Sequence, residues 1–236
     1  MHNLKKVAII PARGGSKGIA RKNLSKIGGL TLLEWAIAYA KDSDEFDMIY
    51  IDTDDLEIKH IGESNNCNVP RLRPSNLATD HTSIIHSLLD FLEFIESDGL
   101  VDNTSVVLLQ VTTPFRKPSE LVKALQILEK AEDKVVISVS PPLQSPKDFL
   151  VRNRSNSWIP ALTNDFRITN RQDLQEFRFI TGGIYAFKKR FLVENRTLLV
   201  EDKFHLVECD QISGIDIDSE IDLEIARAIF NAGLHK

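Results

Sequence analysis

The chain of 236 residues has a formal net charge of −5, with 42% hydrophobic and 27% charged residues. These values exclude a disordered chain and argue against a basic face built to neutralise nucleic-acid phosphates. The two cysteines, Cys67 and Cys209, form no Cys-x-x-Cys pair, and the six histidines show no His-Glu-x-x-His spacing, so a zinc site is not expected. The length suits one α/β domain over residues 1–236. Neither a signal-peptide core nor a bilayer-spanning run is present, so a cytoplasmic enzyme with no membrane or nucleic-acid partner is expected.

Apolar runs of strand length alternate with amphipathic stretches of helical length along the chain. Strands are expected near Val7–Ile10, Met48–Thr53, Val69–Leu72, Ser105–Gln110 and Val135–Val139. Helices are expected near Thr31–Ala40, Leu56–Asn65, Thr82–Ser97 and Pro118–Glu132. That alternation implies a Rossmann-like three-layer α/β sandwich around a mainly parallel sheet, with ligands bound beyond the carboxyl ends of the strands. Three polar junctions fall at such ends: the glycine loop after Ile10, Asp52-Thr53-Asp54, and Gln110 to Arg116. From Ser140 to Thr181 prolines recur and periodicity fails, so residues 140–181 are read as an inserted arm. Within it Arg167, Arg171, Gln172 and Arg178 could recognise an anionic or hydroxyl-rich substrate, or could lie on a solvated loop.

The first strand runs into Arg13-Gly14-Gly15-Ser16-Lys17-Gly18, followed by Arg21, Lys22 and Asn23. Glycines allow positive φ and close backbone approach, so main-chain N–H groups can face phosphate oxygens while Arg13, Lys17, Arg21 and Lys22 offset charge. Neither a P-loop nor a Gly-x-Gly-x-x-Gly fingerprint is present. Gly14-x-Ser16-x-Gly18 matches the nucleophile elbow of serine hydrolases in its letters, but Pro11 separates it from the strand and no helical periodicity follows. A hydrolase using Ser16 and a non-catalytic nucleotide-binding subunit are the alternatives.

Near the C-terminus, Asp216 and Asp218 are two apart in an extended segment and face one side, with Ile215 and Ile217 toward the core. Paired carboxylates without competing histidine or cysteine clusters favour magnesium. Ser219 and Asp222 read as a capping box opening a helix with Ile221, Ile225 and Ile229 on its apolar face.

Taken in order, Val7 to Asn23, Leu72-Arg73-Pro74 with Ala78-Thr79-Asp80, Leu109 to Arg116, Arg171 to Leu174, Thr181 to Tyr185 and Ile215 to Asp222 resemble the acylneuraminate cytidylyltransferases. The resemblance spans almost the whole chain. It implies an enzyme that joins CTP to a 2-keto-3-deoxy nonulosonic acid with release of pyrophosphate, on a fold whose protruding arm builds a homodimer. It further implies that Arg13, Gly14, Ser16, Lys17, Lys22 and Asn23 hold the triphosphate, with Arg13 and Lys22 nearest the transferred phosphate. Arg73 and Ser83 then match the cytidine contacts, and Gln110, Lys147, Arg171, Gln172 and Tyr185 the sugar side. Asp216 and Asp218 match the magnesium carboxylates, completing a catalytic set with Arg13 and Lys22. The chain departs from the family pattern at Ala20, Val111, Thr113, Phe115 and Phe179-Ile180-Thr181. Sialic, legionaminic and pseudaminic acid and Kdn stay open as the sugar, with the Kdo cytidylyltransferases as the alternative.

Overall fold

The computed structural model describes residues 4–16, 18–162 and 176–235. Its strands are β1 (Leu4–Pro11), β2 (Lys26–Ile27), β3 (Leu30–Thr31), β4 (Met48–Asp52), β5 (Leu100–Leu108), β6 (Val135–Ser140), β7 (Leu150–Arg152), β8 (Trp158–Pro160), β9 (Phe179–Lys188) and β10 (Phe204–Glu208). Its helices are α1 (Leu32–Asp42), α2 (Leu56–Ser64), α3 (Ile84–Phe94), α4 (Pro118–Lys130), α5 (Lys189–Asn195) and α6 (Glu220–Asn231).

Six strands form one sheet in the order β10-β6-β9-β5-β1-β4. All neighbours pair in parallel except β9, which runs antiparallel between β5 and β6. Side chains alternate between two apolar layers even where the strand reads as continuously hydrophobic. Ala8 and Ile10 of β1 pack with α1, α2, α4 and α6, whereas Val7 and Ile9 pack with α3 and α5. Burial on both faces is what a covered, mainly parallel sheet requires.

Two sequence expectations are corrected, and one strand of the sheet is unforeseen. Val69–Leu72 is not a strand. It makes a single bridge, Leu72 to Thr53, with another from Asn68 to Tyr50 just before it, because Pro70 has no N–H to donate and Pro74 follows at once. The antiparallel β9 is unforeseen because Gly182 and Gly183 interrupt its alternation. Gly182 has φ +72, and the β6–β9 register shifts between Ile137 and Val139. On α6 the buried residues are Leu223 and Ala226, with Ile229 and Phe230 partly covered, while Ile221 and Ile225 are exposed.

Between β6 and β9 the described residues form a separate two-stranded sheet of β7 and β8. Among the described residues no helix is long and apolar enough to cross a membrane.

Candidate active site

A cavity of about 520 Å³ opens where β1, β4 and β5 end, lined by Arg13, Ser16, Lys22, Arg73, Gln110, Asp216 and Asp218 among others. Residues from opposite ends of the chain thus share one hollow at the carboxyl edge of the sheet.

The glycine loop is tied down by its own backbone. Asn23 is buried and donates its side-chain amide to the Arg13 carbonyl at 2.8 Å, and Gly14 N–H donates to Asp54 Oδ1 at 2.9 Å. Close approach, not positive φ, is what demands glycine here. A Cβ on Gly14 would lie 2.7 Å from Asp55 Oδ2, and one on Gly18 would lie 2.2 Å from the Asp218 carbonyl oxygen. Gly15 has open space around it. Chain flow past Ser16 contradicts a nucleophile elbow. Among the described residues no α-helix starts there, only a short 3₁₀ turn at Lys22–Leu24, and no histidine lines the cavity.

Of the cations expected at the phosphates, Arg13 and Lys22 line the cavity, and Lys17 lies outside the described residues. Arg21 is a correction. It adopts a left-handed φ of 54 and pairs with Asp55 at 2.9 Å and Glu57 at 3.0 Å, on the flank of the loop. Arg13 Nη1 is 2.8 Å from Asp80 Oδ1, and Lys22 Nζ is 2.8 Å from Asp218 Oδ1.

The two aspartates differ in environment. Ile217 between them is fully buried and donates its N–H to the Thr112 carbonyl at 2.9 Å, which fixes the segment. Asp218 is exposed, whereas Asp216 is half-buried and its Oδ1 is buried with no hydrogen-bond partner. Burial pushes the Asp216 carboxyl above its ordinary range against a hydrogen bond from Thr112; the Asp218 carboxylate raises it further and Lys22 lowers it. Behind the pair the Ser219–Asp222 capping box opens α6 as the sequence implies.

Gln110 closes the opposite wall. Its side-chain oxygen rests where a Cβ on Gly182 would lie 2.4 Å away, so the positive-φ glycine of β9 is required twice over. Arg116 is buried beneath it, donating Nε to the Gly183 carbonyl at 2.8 Å and Nη2 to the Gln110 carbonyl, and burial lowers its pKa to about 10. It holds the loop and does not face the cavity. Tyr185 sits half-buried on β9, its phenol raised first by burial and then by the Asp216 carboxylate.

Other expected residues are not brought to the cavity wall. Ser83 is the exposed N-cap of α3, accepting from Ile85 N–H at 3.2 Å, although its neighbour Ile84 lines the hollow. Lys147 is exposed on the turn Pro146–Asp148. Arg167, Arg171 and Gln172 lie outside the described residues. Arg178 is taken up by Glu208, at 2.8 Å, and Glu176, which closes the foot of the arm. Asp52 was marked in the sequence only as a polar strand end. In the fold it is the buried partner of Arg73, at 2.8 Å. A charged residue closing an otherwise apolar strand is the signal that could have found it.

The cytidylyltransferase family model matches residues 7–232. A CMP-N,N′-diacetyllegionaminic acid synthase of Legionella pneumophila is 34% identical over 219 residues, covering 92% of each chain. An N-acylneuraminate cytidylyltransferase of Escherichia coli is 29% identical over 226 residues, 95% of this chain and 52% of that one. Among solved structures, a CMP:2-keto-3-deoxy-manno-octonic acid synthetase complexed with CTP has a TM-score of 0.72 at 18% identity, covering 97% of this chain and 99% of that one.

Proposed function

The chain belongs to the cytidylyltransferase family, and on that premise we propose that it joins CTP to a nonulosonic acid, giving the CMP-sugar and pyrophosphate. The observation that carries this reading is the meeting of Arg13, Lys22, Asp216 and Asp218 in one cavity, with Asp216 Oδ1 buried and unpartnered. A set of two cations and two carboxylates fits a polyphosphate that arrives with its own hard cation.

In this reaction the anomeric hydroxyl of the acid attacks the α-phosphorus in line, the bond to pyrophosphate breaks, and the hydroxyl proton is lost. Arg13 and Lys22 hold phosphate oxygens whose charge grows in the transition state, the more effectively because the loop carrying them is already fixed by Asn23. Ser16 lines the phosphate side, to which the family resemblance adds Gly14 and Lys17, and Arg73 takes the cytidine; Ser83, assigned there by the same resemblance, is the exposed cap of α3 and meets the cavity only through its neighbour Ile84. Gln110 lines the sugar side; the family resemblance also assigns Lys147, Arg171, Gln172 and Tyr185 to it, of which the described Lys147 and Tyr185 stand off the cavity wall.

Asp216 and Asp218 would hold magnesium. Among the described residues no group of three or more histidine, cysteine or acidic side chains could hold a metal, and two carboxylates completed by phosphate oxygens is a magnesium habit. When bound, that ion neutralises phosphate charge.

The arm, residues 140–181, is assigned to a homodimer that completes the sugar side. Phe149, Leu150, Trp158 and Ile159 expose apolar surface on the small β7–β8 sheet, where solvent is a poor partner.

Pyrophosphate release from CTP, measured with N-acetylneuraminic, N,N′-diacetyllegionaminic and pseudaminic acids, Kdn and Kdo, tests the assignment. Release with at least one nonulosonic acid, and less with Kdo, is expected. Release with Kdo alone would transfer the reading to the octonic acid enzymes.

A further inference from the structure

Two arginines line the same cavity in different electrical surroundings. Arg13 is 32% exposed and its partner Asp80 35%, so solvent screens that pair. Arg73 is 5% exposed and its partner Asp52 3%. Arg73 Nη2 lies 2.8 Å from Asp52 Oδ2 and 2.9 Å from the Asp52 carbonyl oxygen. Ser87 donates its hydroxyl to the same Oδ2 at 3.0 Å, and Arg73 N–H donates to the Thr53 carbonyl at 2.6 Å. Asp52 therefore meets Nη2 twice, by a hydrogen bond at its carbonyl and an ion pair at its carboxylate, whereas Nε is buried and has no partner.

We infer that Asp52 is a positioning residue that makes the Arg73 end of the cavity select a neutral acceptor, and so sets which way round a nucleotide lies. The inference rests on the nucleotide reading above and adds what gives the site its direction. A phosphate brought to Arg73 would meet the Asp52 carboxylate where little water screens the repulsion. A carbonyl oxygen, such as that of a pyrimidine, can accept from the Arg73 guanidinium without that penalty. Two apolar side chains among polar neighbours such as Thr79, Thr82 and Ser87 fit the same occupant. Ile84 borders both the main cavity and an adjoining hollow of about 190 Å³, which Leu77 also lines. Arg13 borders both hollows, between Arg73 and Lys22, and there a phosphate can replace Asp80, because that pair is partly solvated. The base then lies toward Arg73 and the phosphates toward Arg13 and Lys22.

Titration calorimetry on the full chain, with cytidine and pyrophosphate as separate probes, reads this directly. The wild type is expected to bind both. In Asp52→Asn the guanidinium loses its counter-charge, so cytidine should bind about tenfold more weakly and pyrophosphate at least about threefold more tightly. A merely structural role for Asp52 would weaken both probes together, and that parallel loss overturns the inference, as does no change in either.

Ser87→Ala keeps the charge and removes one hydrogen bond to the carboxylate, so it decides the matter if Asp52→Asn does not fold. It should weaken cytidine about threefold and leave pyrophosphate unchanged. Loss of pyrophosphate binding in this variant, or no effect on cytidine, overturns the inference. A wild-type protein that binds neither probe overturns the nucleotide reading with it, whereas binding of both without divergence in the variants removes only the role of Asp52.

Discussion

Lys22 Nζ lies 2.8 Å from Asp218 Oδ1, joining residues 196 positions apart in the chain. The lysine side chain is 15% exposed and the aspartate 76%, so the lysine is the fixed member and the carboxylate the one free to change partner. Gly18 packs against the main chain of Asp218 at the same place. The glycine loop and the acidic segment are therefore one structural unit.

That placement makes Lys22 a stabiliser of charge that develops during transfer. Lys22→Ala should lower kcat at least about a hundredfold, ~3 kcal/mol of transition-state stabilisation, with a smaller change in KM for CTP. Steady-state kinetics separates the two quantities. Near-neutral effects on both would return the loop to a plain basic turn.

Asp216 carries opposite consequences for stability and activity. Burial raises its folded-state pKa, so below the ordinary carboxylate range it is protonated folded or unfolded and contributes nothing. As pH rises through that range and then through the raised folded value, a destabilising charge appears in full. Asp216→Asn should therefore raise the melting temperature of the ligand-free protein in EDTA at pH 8, by an amount that shrinks toward pH 4. It should also cost at least about a hundredfold in turnover. A variant less stable at pH 8, or one fully active, contradicts this assignment.

The glycines of the loop are predicted to differ sharply. Gly18→Ala places a methyl 2.2 Å from a backbone oxygen, which has no flexible end to move aside, so melting temperature and activity should both fall. Gly15→Ala meets nothing within 4 Å and should leave the melting temperature within about 1 °C. Differential scanning fluorimetry of the pair is sufficient. Equal losses would show that the loop is held by something other than the close approach at Asp218.

Much of this site was legible because its chemistry sits in contiguous stretches. Gly14 to Asn23 announces phosphate binding through residue type alone, and Asp216-Ile217-Asp218 announces a carboxylate pair through strand spacing. What the sequence could not convey was pairing across the fold. Asp52 reads as the polar end of a strand until Arg73 is placed against it. Arg21 reads as a fourth loop cation until Asp55 and Glu57 claim it. Ile221, Ile225 and Ile229 fit a helical repeat, yet α6 turns Leu223 and Ala226 inward, because which stripe meets the sheet depends on where the preceding strand end points the helix. β9 was hidden by the two glycines that let its backbone pass Gln110 and Ser138.

The exposed apolar surface of β7 and β8 should bring two chains together. Sedimentation velocity at micromolar concentration is expected to show a dimer, and Trp158→Asp, altering a side chain 64% exposed, should shift it toward monomer without lowering the melting temperature of the monomer fold. A wild-type monomer would contradict the dimer assignment.

The most direct test of the account is phosphorus NMR of the wild-type protein with magnesium, CTP and N,N′-diacetyllegionaminic or N-acetylneuraminic acid. The account predicts that CTP signals are replaced by equal amounts of pyrophosphate and a CMP phosphodiester, and that Asp216→Asn leaves CTP intact over the same period. Formation of CDP and inorganic phosphate, or unchanged CTP with every nonulosonic acid tried, would contradict it.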